Sequence, residues 1–194
     1  ACGIQLLHSR GSKVIQNVLL RNAHLGIDIE DFSSDNIICQ NDVIENYWGI
    51  RLEESSGNKV YRNNFINNTS QVLGISGWLR QSISSAGRNE GNYWSDYAGK
   101  DLNGDGIGDT LLPHLSVDYY PLMNPYVSGD VNHDGVVNII DVAIVASSFH
   151  SYPGHPKWNV HADLNGDDII NIFDIATVAS NFGNKWGFSK NIGE

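Results

Sequence analysis

Basic residues are scarce in this 194-residue sequence, in which 12 lysines and arginines stand against 22 aspartates and glutamates. The formal charge of −10 argues against nucleic acid and an anionic membrane surface as partners, because both carry the same sign of charge as the protein. No apolar run reaches the length of about 20 residues that a transmembrane helix needs, so we predict no membrane span in this chain.

Cysteine is also rare, with only Cys2 and Cys39 in the chain. The two occupy different places in the repeat described below, so we favour free thiols over a disulfide, although a bridge stays open for a secreted protein. The chain opens in the middle of that repeat, at Ala1-Cys2-Gly3, which we interpret as the start of a processed or partial chain.

A 23-residue repeat dominates the first part of the chain. The dipeptide Gly-Ile occurs at residues 3–4, 26–27 and 49–50. Short apolar segments alternate with Gly, Ser, Asn and Asp, a composition typical of short strands and turns. A period of this size predicts a solenoid whose stacked turns bury one continuous apolar column. The residues aligned in that column are Leu6, Ile29 and Leu52, and then Val14, Ile37 and Val60.

A second motif, Asn-x-apolar-[Ile/Leu]-x-Asn, runs through residues 17–22, 41–46 and 63–68. Asparagines at the same turn of successive rungs can form hydrogen-bonded ladders. The two motifs resemble the right-handed parallel β-helix repeat family of secreted and surface proteins, which includes carbohydrate-binding and sugar-hydrolysing members. The resemblance implies a short, mainly β solenoid, which we place at residues 1–88.

An acidic stack is the candidate for chemistry in the predicted β-helix. The 23-residue alignment places Glu30 over Glu53 and Asp31 over Glu54, and it puts Arg51 beside Asp28. Carboxylates one rung apart can bind Ca²⁺, or act as acid and base on a polysaccharide as lyases and hydrolases of this fold do. We favour the simpler interpretation of a solvated acidic turn. The catalytic candidates are Glu30, Asp31, Arg51, Glu53 and Glu54.

An aromatic segment and an Asp/Gly-rich loop follow at residues 89–125. In the family that the chain resembles, such a segment often ends the solenoid, and Tyr93, Trp94 and Tyr97 would cover its last rung. Residues 101–109 carry oxygen side chains at loop positions 1, 3, 5 and 9, but Leu112 stands where an EF-hand has its acid. A calcium turn and a metal-free Asx turn both stay open. The ligands of such a third calcium site would be Asp101, Asn103, Asp105, Asp109 and the carbonyl of Ile107.

Two copies of one loop, the first starting at Asp130 and the second at Asp163, are the most informative feature of the chain. Residues 130–141 and 163–174 place oxygen side chains at positions 1, 3, 5, 9 and 12, the spacing with which a 12-residue loop surrounds Ca²⁺. An apolar segment of helical period follows each loop. Each half is too small to bury its apolar face alone, so we expect the two to pack about a pseudo-twofold axis.

This loop–helix, linker, loop–helix pattern resembles a type I dockerin, a small α module that depends on calcium and docks onto cohesin domains. We place the module at residues 126–186, followed by a tail at 187–194. The resemblance implies two calcium sites. The first would use Asp130, Asn132, Asp134, Asn138, Asp141 and the carbonyl of Val136. The second would use Asp163, Asn165, Asp167, Asn171, Asp174 and the carbonyl of Ile169.

The two loops differ at position 6, where the second has Asp168 in place of the usual glycine. An aspartate enters the left-handed backbone conformation at some cost, so we predict weaker calcium binding at the second loop. In dockerins, positions 10 and 11 commonly face the cohesin. In this chain, positions 10 and 11 are Ile139 and Ile140 in the first loop and Ile172 and Phe173 in the second. Whether these apolar side chains bind a partner or belong to the core stays open. The predicted partner-binding residues are Ile139, Ile140, Ser147, Ile172, Phe173 and Ser180.

These features favour a non-catalytic protein, secreted or on the cell surface, in which the β-helix is a scaffold or a carbohydrate-binding surface and the dockerin-like module mediates assembly. The predicted partner is a cohesin-like domain or a neighbouring copy of the chain, with polysaccharide as a further ligand of the β-helix. Calcium is the predicted cofactor, at two sites, with a third in the 101–109 loop. Two alternatives stay open: an anchored polysaccharide lyase or hydrolase fragment, and a self-assembling surface or filament subunit.

Overall fold

The computed structural model describes residues 1–73 and 89–187, and the chain comprises two compact units, Ala1–Tyr126 and Val127–Glu194. The first unit is a parallel β-solenoid and the second contains two α-helices, as predicted from the sequence. The predicted end of the solenoid at residue 88 and nearly all of the predicted tail at 187–194 lie outside the described residues.

Three parallel sheets form the walls of the solenoid, because successive rungs place their strands on top of one another. The strands are β1 (Ile4–Leu7), β2 (Lys13–Ile15), β3 (Val18–Leu20), β4 (Leu25–Glu30), β5 (Ile37–Cys39), β6 (Asp42–Ile44), β7 (Trp48–Leu52), β8 (Lys59–Tyr61), β9 (Asn64–Ile66), β10 (Ser70–Leu73) and β11 (Tyr93–Trp94). The orders within the sheets are β1-β4-β7-β10, β2-β5-β8 and β11-β9-β6-β3.

The Gly-Ile repeat sets the register of the first sheet. Ile4 pairs with Ile27, and Ile27 pairs with Ile50, which confirms the period of the alignment for β1, β4 and β7. The next strand, β10, comes one residue early, because Val72 pairs with Ile50. Side chains on one face of these strands point into a buried apolar column, and the core residues Ile27, Ile29, Ile50 and Leu52 are almost fully shielded from solvent.

The second sheet differs from the predicted alignment by one residue. Val14 pairs with Ile38 instead of Ile37, and Ile38 then pairs with Val60. The cause is the turn between Glu30 and Ile37, which is longer by one residue than the equivalent turns of the rungs on either side. The regular period of β1, β4 and β7 therefore conceals unequal turns elsewhere.

Buried asparagines run along the solenoid in ladders, as predicted. The side-chain carbonyl of Asn41 accepts hydrogen bonds from the backbone N–H and the side-chain amide of Asn17, both at 3.0 Å. Asn63 accepts the same pair from Asn41, at 3.1 and 2.8 Å. Buried turns need such partners because an unpaired amide is costly in the core. A second ladder contains Asn22, Asn46 and Asn68.

Strand β11 belongs to a fourth rung, at the end of the described solenoid. Its pairing with β9 places Trp94 on Phe65, with the two rings stacked at a centroid distance of 4.4 Å. Trp94 is buried, and Tyr97 packs partly against the same core. These contacts agree with the predicted role of the aromatic segment as a cover for the apolar column.

The second unit contains helices α1 (Ile139–Ser147) and α2 (Ile172–Ser180). Each begins with an asparagine cap, at Asn138 and Asn171, whose side chain accepts a hydrogen bond from the second residue of the helix. The core between the helices is apolar and is formed by Val131, Val137, Val145, Ala162, Ile170 and Val178.

Backbone hydrogen bonds in this unit show the expected pseudo-twofold relation. The carbonyl of Val137 accepts from the N–H of Gly183, and that of Ile170 accepts from the N–H of His150, both at 2.8 Å. The two acceptors occupy the same position of the two repeats, and so do the two donors. Each loop is therefore tied to the end of the opposite helix in the same way.

Within residues 1–73 and 89–187, no helix is both long enough and apolar enough to cross a membrane. Cys2 and Cys39 are free, in agreement with the favoured prediction.

Candidate calcium sites and docking surface

The first loop of the second unit is organised around the carboxylate of Asp130. Its Oδ2 accepts a hydrogen bond of 2.8 Å from the N–H of Gly135, and its Oδ1 accepts one of 3.2 Å from the N–H of Asp134. Asn132 donates from Nδ2 to Asp134 Oδ2 at 2.9 Å. The side chains at loop positions 1, 3 and 5 therefore lie together within one turn.

Asp141, at position 12, joins the two ends of the first loop. Its buried carboxylate accepts hydrogen bonds from the N–H of Val131 at 2.7 Å and from the N–H of Asn138 at 2.8 Å. Asp174 makes the equivalent two bonds in the second loop, each at 2.8 Å. Both loops are thus closed by the acid that a calcium loop uses at position 12.

The second loop repeats the first but is looser at position 6. Asp168 has a left-handed backbone, with φ of +64°, where Gly135 has φ of +90°. Its N–H donates to Asp163 Oδ2 at 3.3 Å, compared with 2.8 Å for the equivalent bond of Gly135. The weaker calcium binding of the second loop stays a prediction.

The 101–109 loop of the first unit has the same internal pattern. Asp101 Oδ2 accepts from the N–H of Gly106 at 2.8 Å, and Asn103 Nδ2 donates to Asp105 Oδ2 at 3.1 Å. The predicted ligand residues are therefore brought together in all three loops. The backbone of Ile107 is held in the turn by Asp105, whose Oδ1 accepts from its N–H at 2.9 Å.

Asp109 performs in this third loop the closing role that the position-12 acid performs in the other two. Its Oδ2 accepts from the N–H of Leu102, the second residue of the loop, at 2.7 Å. The loop is thus closed already at its ninth position, which explains why Leu112 can stand at the position of the missing acid.

The electrostatics of these loops suit a hard cation. Burial raises the pKa of Asp130 to about 6, and the nearby carboxylates Asp141 and Asp134 add to the effect. In the exposed third loop burial also acts to raise the pKa of Asp101, but backbone N–H donors, led by Gly106, hold it below its usual value. All donors are carboxylate, amide or carbonyl oxygens, the set that Ca²⁺ prefers and that thiophilic metals do not.

The apolar residues at positions 10 and 11 lie on the surface, at the start of each helix. Ile139 and Ile140 are 67% and 52% exposed, and Ile172 and Phe173 are 59% and 66% exposed. None of these four side chains belongs to the core, so the alternative of a core role is wrong.

Ser147 and Ser180 are also exposed, one near the end of each helix. Their hydroxyls donate to the carbonyls of Ile144 and Thr177 at 2.8 and 3.0 Å. Both hydroxyl oxygens can still accept a hydrogen bond from a partner without giving up these local bonds.

Arg51 forms ion pairs with three carboxylates of the acidic stack of the solenoid. Its guanidinium donates to both oxygens of Asp28, at 2.7 and 2.9 Å, and also contacts Glu30 and Glu53. The hydrogen bond with Asp28 raises the pKa of Arg51, against the opposing effect of burial. This arrangement favours a structural role over an acid–base pair, which needs a carboxyl group that can exchange its proton with a substrate.

Asp31 and Glu54, the other two catalytic candidates, lie in the turns after β4 and β7. Both have a left-handed backbone, with φ of +53° and +47°. Their predicted stacking stays a prediction, because the turn that contains Asp31 is one residue longer than the turn that contains Glu54.

Sequence reasoning missed two charged groups of the solenoid. Arg62 donates to both carboxylate oxygens of Glu90, at 2.7 and 3.1 Å, and both side chains are buried. Asp118 is also buried, and burial raises its pKa. The available signal was the resemblance of Asn92-Tyr93-Trp94 to Asn63-Asn64-Phe65, which marks a further rung.

Comparison with known families matches each unit separately. The family described as "Periplasmic copper-binding protein (NosD)" matches residues 1–99, and the dockerin type I domain matches residues 128–183. The second match includes both 12-residue loops and both helices.

Two curated relatives resemble the first unit, and both are called "Probable ABC transporter binding protein NosD". They come from Pseudomonas aeruginosa and Stutzerimonas stutzeri, and each is 38% identical over 94 residues, which is 47% of this chain and 21% of the relative. The chain therefore spans about a fifth of the length of these relatives. No solved structure gives a significant match. With about half of its residues matched by the family and its first unit folded as a parallel solenoid, the chain belongs to the NosD family, and a dockerin type I domain follows its solenoid.

Proposed function

We propose that this chain is an extracytoplasmic docking protein whose dockerin domain binds two calcium ions and presents its helix starts to a cohesin domain. The observation that supports this best is the coincidence of two features at equivalent positions of the two repeats. Each loop gathers carboxylates into one turn, and each exposes two large apolar side chains at its positions 10 and 11.

Calcium and docking are linked by the residues that start each helix. Asn138, at loop position 9, is the N-cap of α1, and Asp141, at position 12, is the third helical residue that completes the capping box. Ile139 and Ile140 lie between them. A calcium ion held by positions 9 and 12 would therefore fix the backbone of the residues that contact the partner.

The proposed ligands are the oxygen atoms of the two loops. They are Asp130, Asn132, Asp134, Asn138, Asp141 and the Val136 carbonyl in the first, and Asp163, Asn165, Asp167, Asn171, Asp174 and the Ile169 carbonyl in the second. We also propose a third calcium site in the first unit, formed by Asp101, Asn103, Asp105, Asp109 and the Ile107 carbonyl, because its hydrogen bonds follow the same pattern.

The pseudo-twofold relation supports docking in either of two orientations. The pair Ile139 and Ile140 and the pair Ile172 and Phe173 occupy equivalent places, and both pairs are exposed. A partner that recognises one pair would find a similar surface after a rotation of the domain by half a turn. We assign the solenoid the role of a scaffold, located in the periplasm or outside the cell, as the description of its family suggests.

Surface plasmon resonance against a panel of type I cohesin domains, in calcium and in EDTA, tests this proposal. We expect binding in calcium that is lost in EDTA. Replacing one pair (Ile139→Asp with Ile140→Asp, or Ile172→Asp with Phe173→Asp) should leave binding largely intact. Replacing all four residues should weaken it by more than about 2 kcal/mol, as loss of a central hot spot does. Tyr152→Asp, another exposed aromatic position of this unit, is the matched control.

Other outcomes would contradict either the proposed docking surface or the proposed partner. Binding that survives EDTA, or that is unchanged in the variant with four replacements, would overturn the proposed surface. A calcium-dependent dimer in light scattering, lost in the same variant and without any cohesin binding, would replace the cohesin by a second copy of the chain.

A further inference from the structure

The turn between β9 and β10 carries the tripeptide Asn-x-Ser/Thr twice, in overlapping motifs at residues 67–69 and 68–70. The tripeptide occurs nowhere else in the sequence. It is the acceptor motif for N-glycosylation, in which an oligosaccharide is attached to the side-chain amide of the asparagine in a secreted protein. The two motifs overlap, so the surroundings of Asn67 and Asn68 decide which amide can carry a glycan.

Asn68 belongs to the second asparagine ladder, and both hydrogens of its side-chain amide are used there. Its Nδ2 donates to the carbonyl of Val43 at 2.9 Å and to Gln71 Oε1 at 2.8 Å. Its Oδ1 accepts from the N–H and the side-chain amide of Asn46, at 2.8 and 3.0 Å. A sugar on Nδ2 would replace one of these hydrogens and would have to occupy the buried interior of the turn. The fold therefore excludes a glycan on Asn68.

Asn67, one residue earlier, is exposed. Its backbone is left-handed, with φ of +51°, and its N–H donates to Ser95 Oγ at 2.8 Å. Among the residues that the structure describes, none is a hydrogen-bond partner of the Asn67 side chain. The main chain of Asn67 is thus held in the turn, whereas its amide remains available for modification.

The equivalent positions of the two preceding rungs show why Asn67 faces solvent. Arg21 and Glu45 precede the ladder asparagines Asn22 and Asn46, and they have the same left-handed backbone, with φ of +54° and +52°. Both are exposed, and their side chains form a surface ion pair at 2.7 Å. The residue before each ladder asparagine therefore points outward, and in the third rung that residue is Asn67.

Thr69, which completes the first motif, is exposed as well. Its N–H donates to the carbonyl of Asn46 at 2.9 Å. Ser70, which completes the second motif, is half-buried, and its hydroxyl donates to the carbonyl of Val72 at 3.1 Å. Both the amide and the hydroxyl of the first motif are therefore better placed for modification than those of the second.

We propose that Asn67 is an N-glycosylation site of the solenoid. The sugar donor is an oligosaccharide linked through phosphate to a lipid carrier. The bond between Asn67 Nδ2 and the anomeric carbon forms, the bond between that carbon and the phosphate oxygen breaks, and one amide proton is released. A glycan attached to Asn68 before folding would prevent the ladder from forming, whereas one on Asn67 is compatible with the fold. The proposal rests on the extracytoplasmic location in the proposed function, but not on calcium or docking.

Mass spectrometry of the tryptic peptide 63–80, from the full chain purified from its natural source, tests the proposal. We expect an oligosaccharide on Asn67 and an unmodified Asn68. Variants of the full chain are compared after secretion from a eukaryotic host that N-glycosylates secreted proteins. Thr69→Val removes the hydroxyl of the first motif and should abolish the glycan, and so should Asn67→Gln. Ser70→Ala, the matched control, removes the hydroxyl of the second motif and should leave the glycan on Asn67 in full.

Three outcomes would overturn the site. They are an unmodified peptide from the natural source, a glycan on Asn68, and a glycan that survives Thr69→Val. Circular dichroism of the secreted variants verifies that the solenoid is folded. Calcium-dependent binding of a cohesin should be the same with and without the glycan, so failure of this proposal is distinguishable from failure of the docking function.

Discussion

Asp118 occupies the place that a fifth asparagine would have in the ladder that runs through Asn92. The N–H of Asn92 donates to Asp118 Oδ2 at 2.9 Å, just as the N–H of Asn63 donates to Asn92 Oδ1 at 3.1 Å. Trp94 Nε1 donates to the same oxygen at 2.8 Å, and the N–H of Tyr120 donates to Oδ1 at 2.9 Å. Every one of these neighbours is a donor, so a side chain that only accepts suits this end of the ladder.

Asp118→Asn should destabilise the first unit by about 2 kcal/mol or more. An amide has one acceptor oxygen, so its NH₂ group must face either Trp94 and Asn92 or Tyr120, all of which donate. Chemical denaturation followed by tryptophan fluorescence measures the loss. Asp35→Asn, at an exposed ion pair with Arg10, is the control and should change stability by less than about 0.5 kcal/mol. Equal stability of the two variants would contradict the role of Asp118 as the final acceptor of the ladder.

Gly91→Ala should be destabilising for a steric reason in the same place. A Cβ atom at residue 91 would lie 2.0 Å from Asp118 Oδ1 and 2.4 Å from Oδ2, and Asp118 cannot retreat without losing its donors. We expect a loss of about 1–3 kcal/mol, as for other overpacked cores. The matched control is Gly187→Ala, where the nearest atom is the carbonyl oxygen of Lys185 at 3.9 Å and the melting temperature should not change.

Exchange of the position-6 residues should reverse the difference in calcium affinity between the two dockerin loops. Asp168→Gly removes the strain of a left-handed aspartate, which is of the order of 1 kcal/mol, and should tighten the second calcium site by up to about fivefold. Gly135→Asp should weaken the first site by a similar factor. Isothermal titration calorimetry measures both affinities. A second site that is already tighter than the first in the unaltered chain would refute the prediction.

The stabilisation by calcium should be smaller in mild acid. Burial raises the pKa of Asp130 to about 6, so protons compete with calcium as the pH falls through that value. In the calcium-free unit, a fall in pH has the opposite effect on the stability of the fold. The folded state binds this proton more readily than the unfolded state, so Asp130 stabilises the calcium-free fold as the pH falls below about 6, and this contribution is lost as the pH rises.

Melting temperatures with calcium and after removal of calcium on a chelating resin, at about pH 7 and about pH 5, check this prediction. The increase caused by calcium should be smaller at the lower pH. A larger increase at the lower pH would contradict the raised pKa.

The parts of the fold that follow from local spacing were predictable. The Gly-Ile repeat gives the register of Ile4, Ile27 and Ile50 directly, because the first two turns of the solenoid have the same length between these positions. The calcium loops are also local, since one short continuous segment supplies all the ligands and their spacing is set by the ion. The exposure of Ile139 and Phe173 was not predictable, because an apolar side chain at a helix start fits a core as well as a docking surface.

The parts that depend on unequal turns or distant partners were not predictable. One additional residue after Glu30 shifted the second sheet, and a constant period cannot reveal it. Arg62 and Glu90 are 28 residues apart, and Asn92 and Asp118 are 26 apart. The sequence around either residue of these pairs does not indicate which distant residue it contacts.

The central claim is that calcium holds the dockerin domain in its docking conformation, and differential scanning calorimetry of the full chain in calcium and in EDTA tests it most directly. We predict that EDTA lowers the melting temperature of the second unit by a large amount, because the folded loops bind the ion and the unfolded chain does not. Asp141→Asn with Asp174→Asn should abolish the difference. An unaltered chain that melts at the same temperature in EDTA and in calcium would contradict the account.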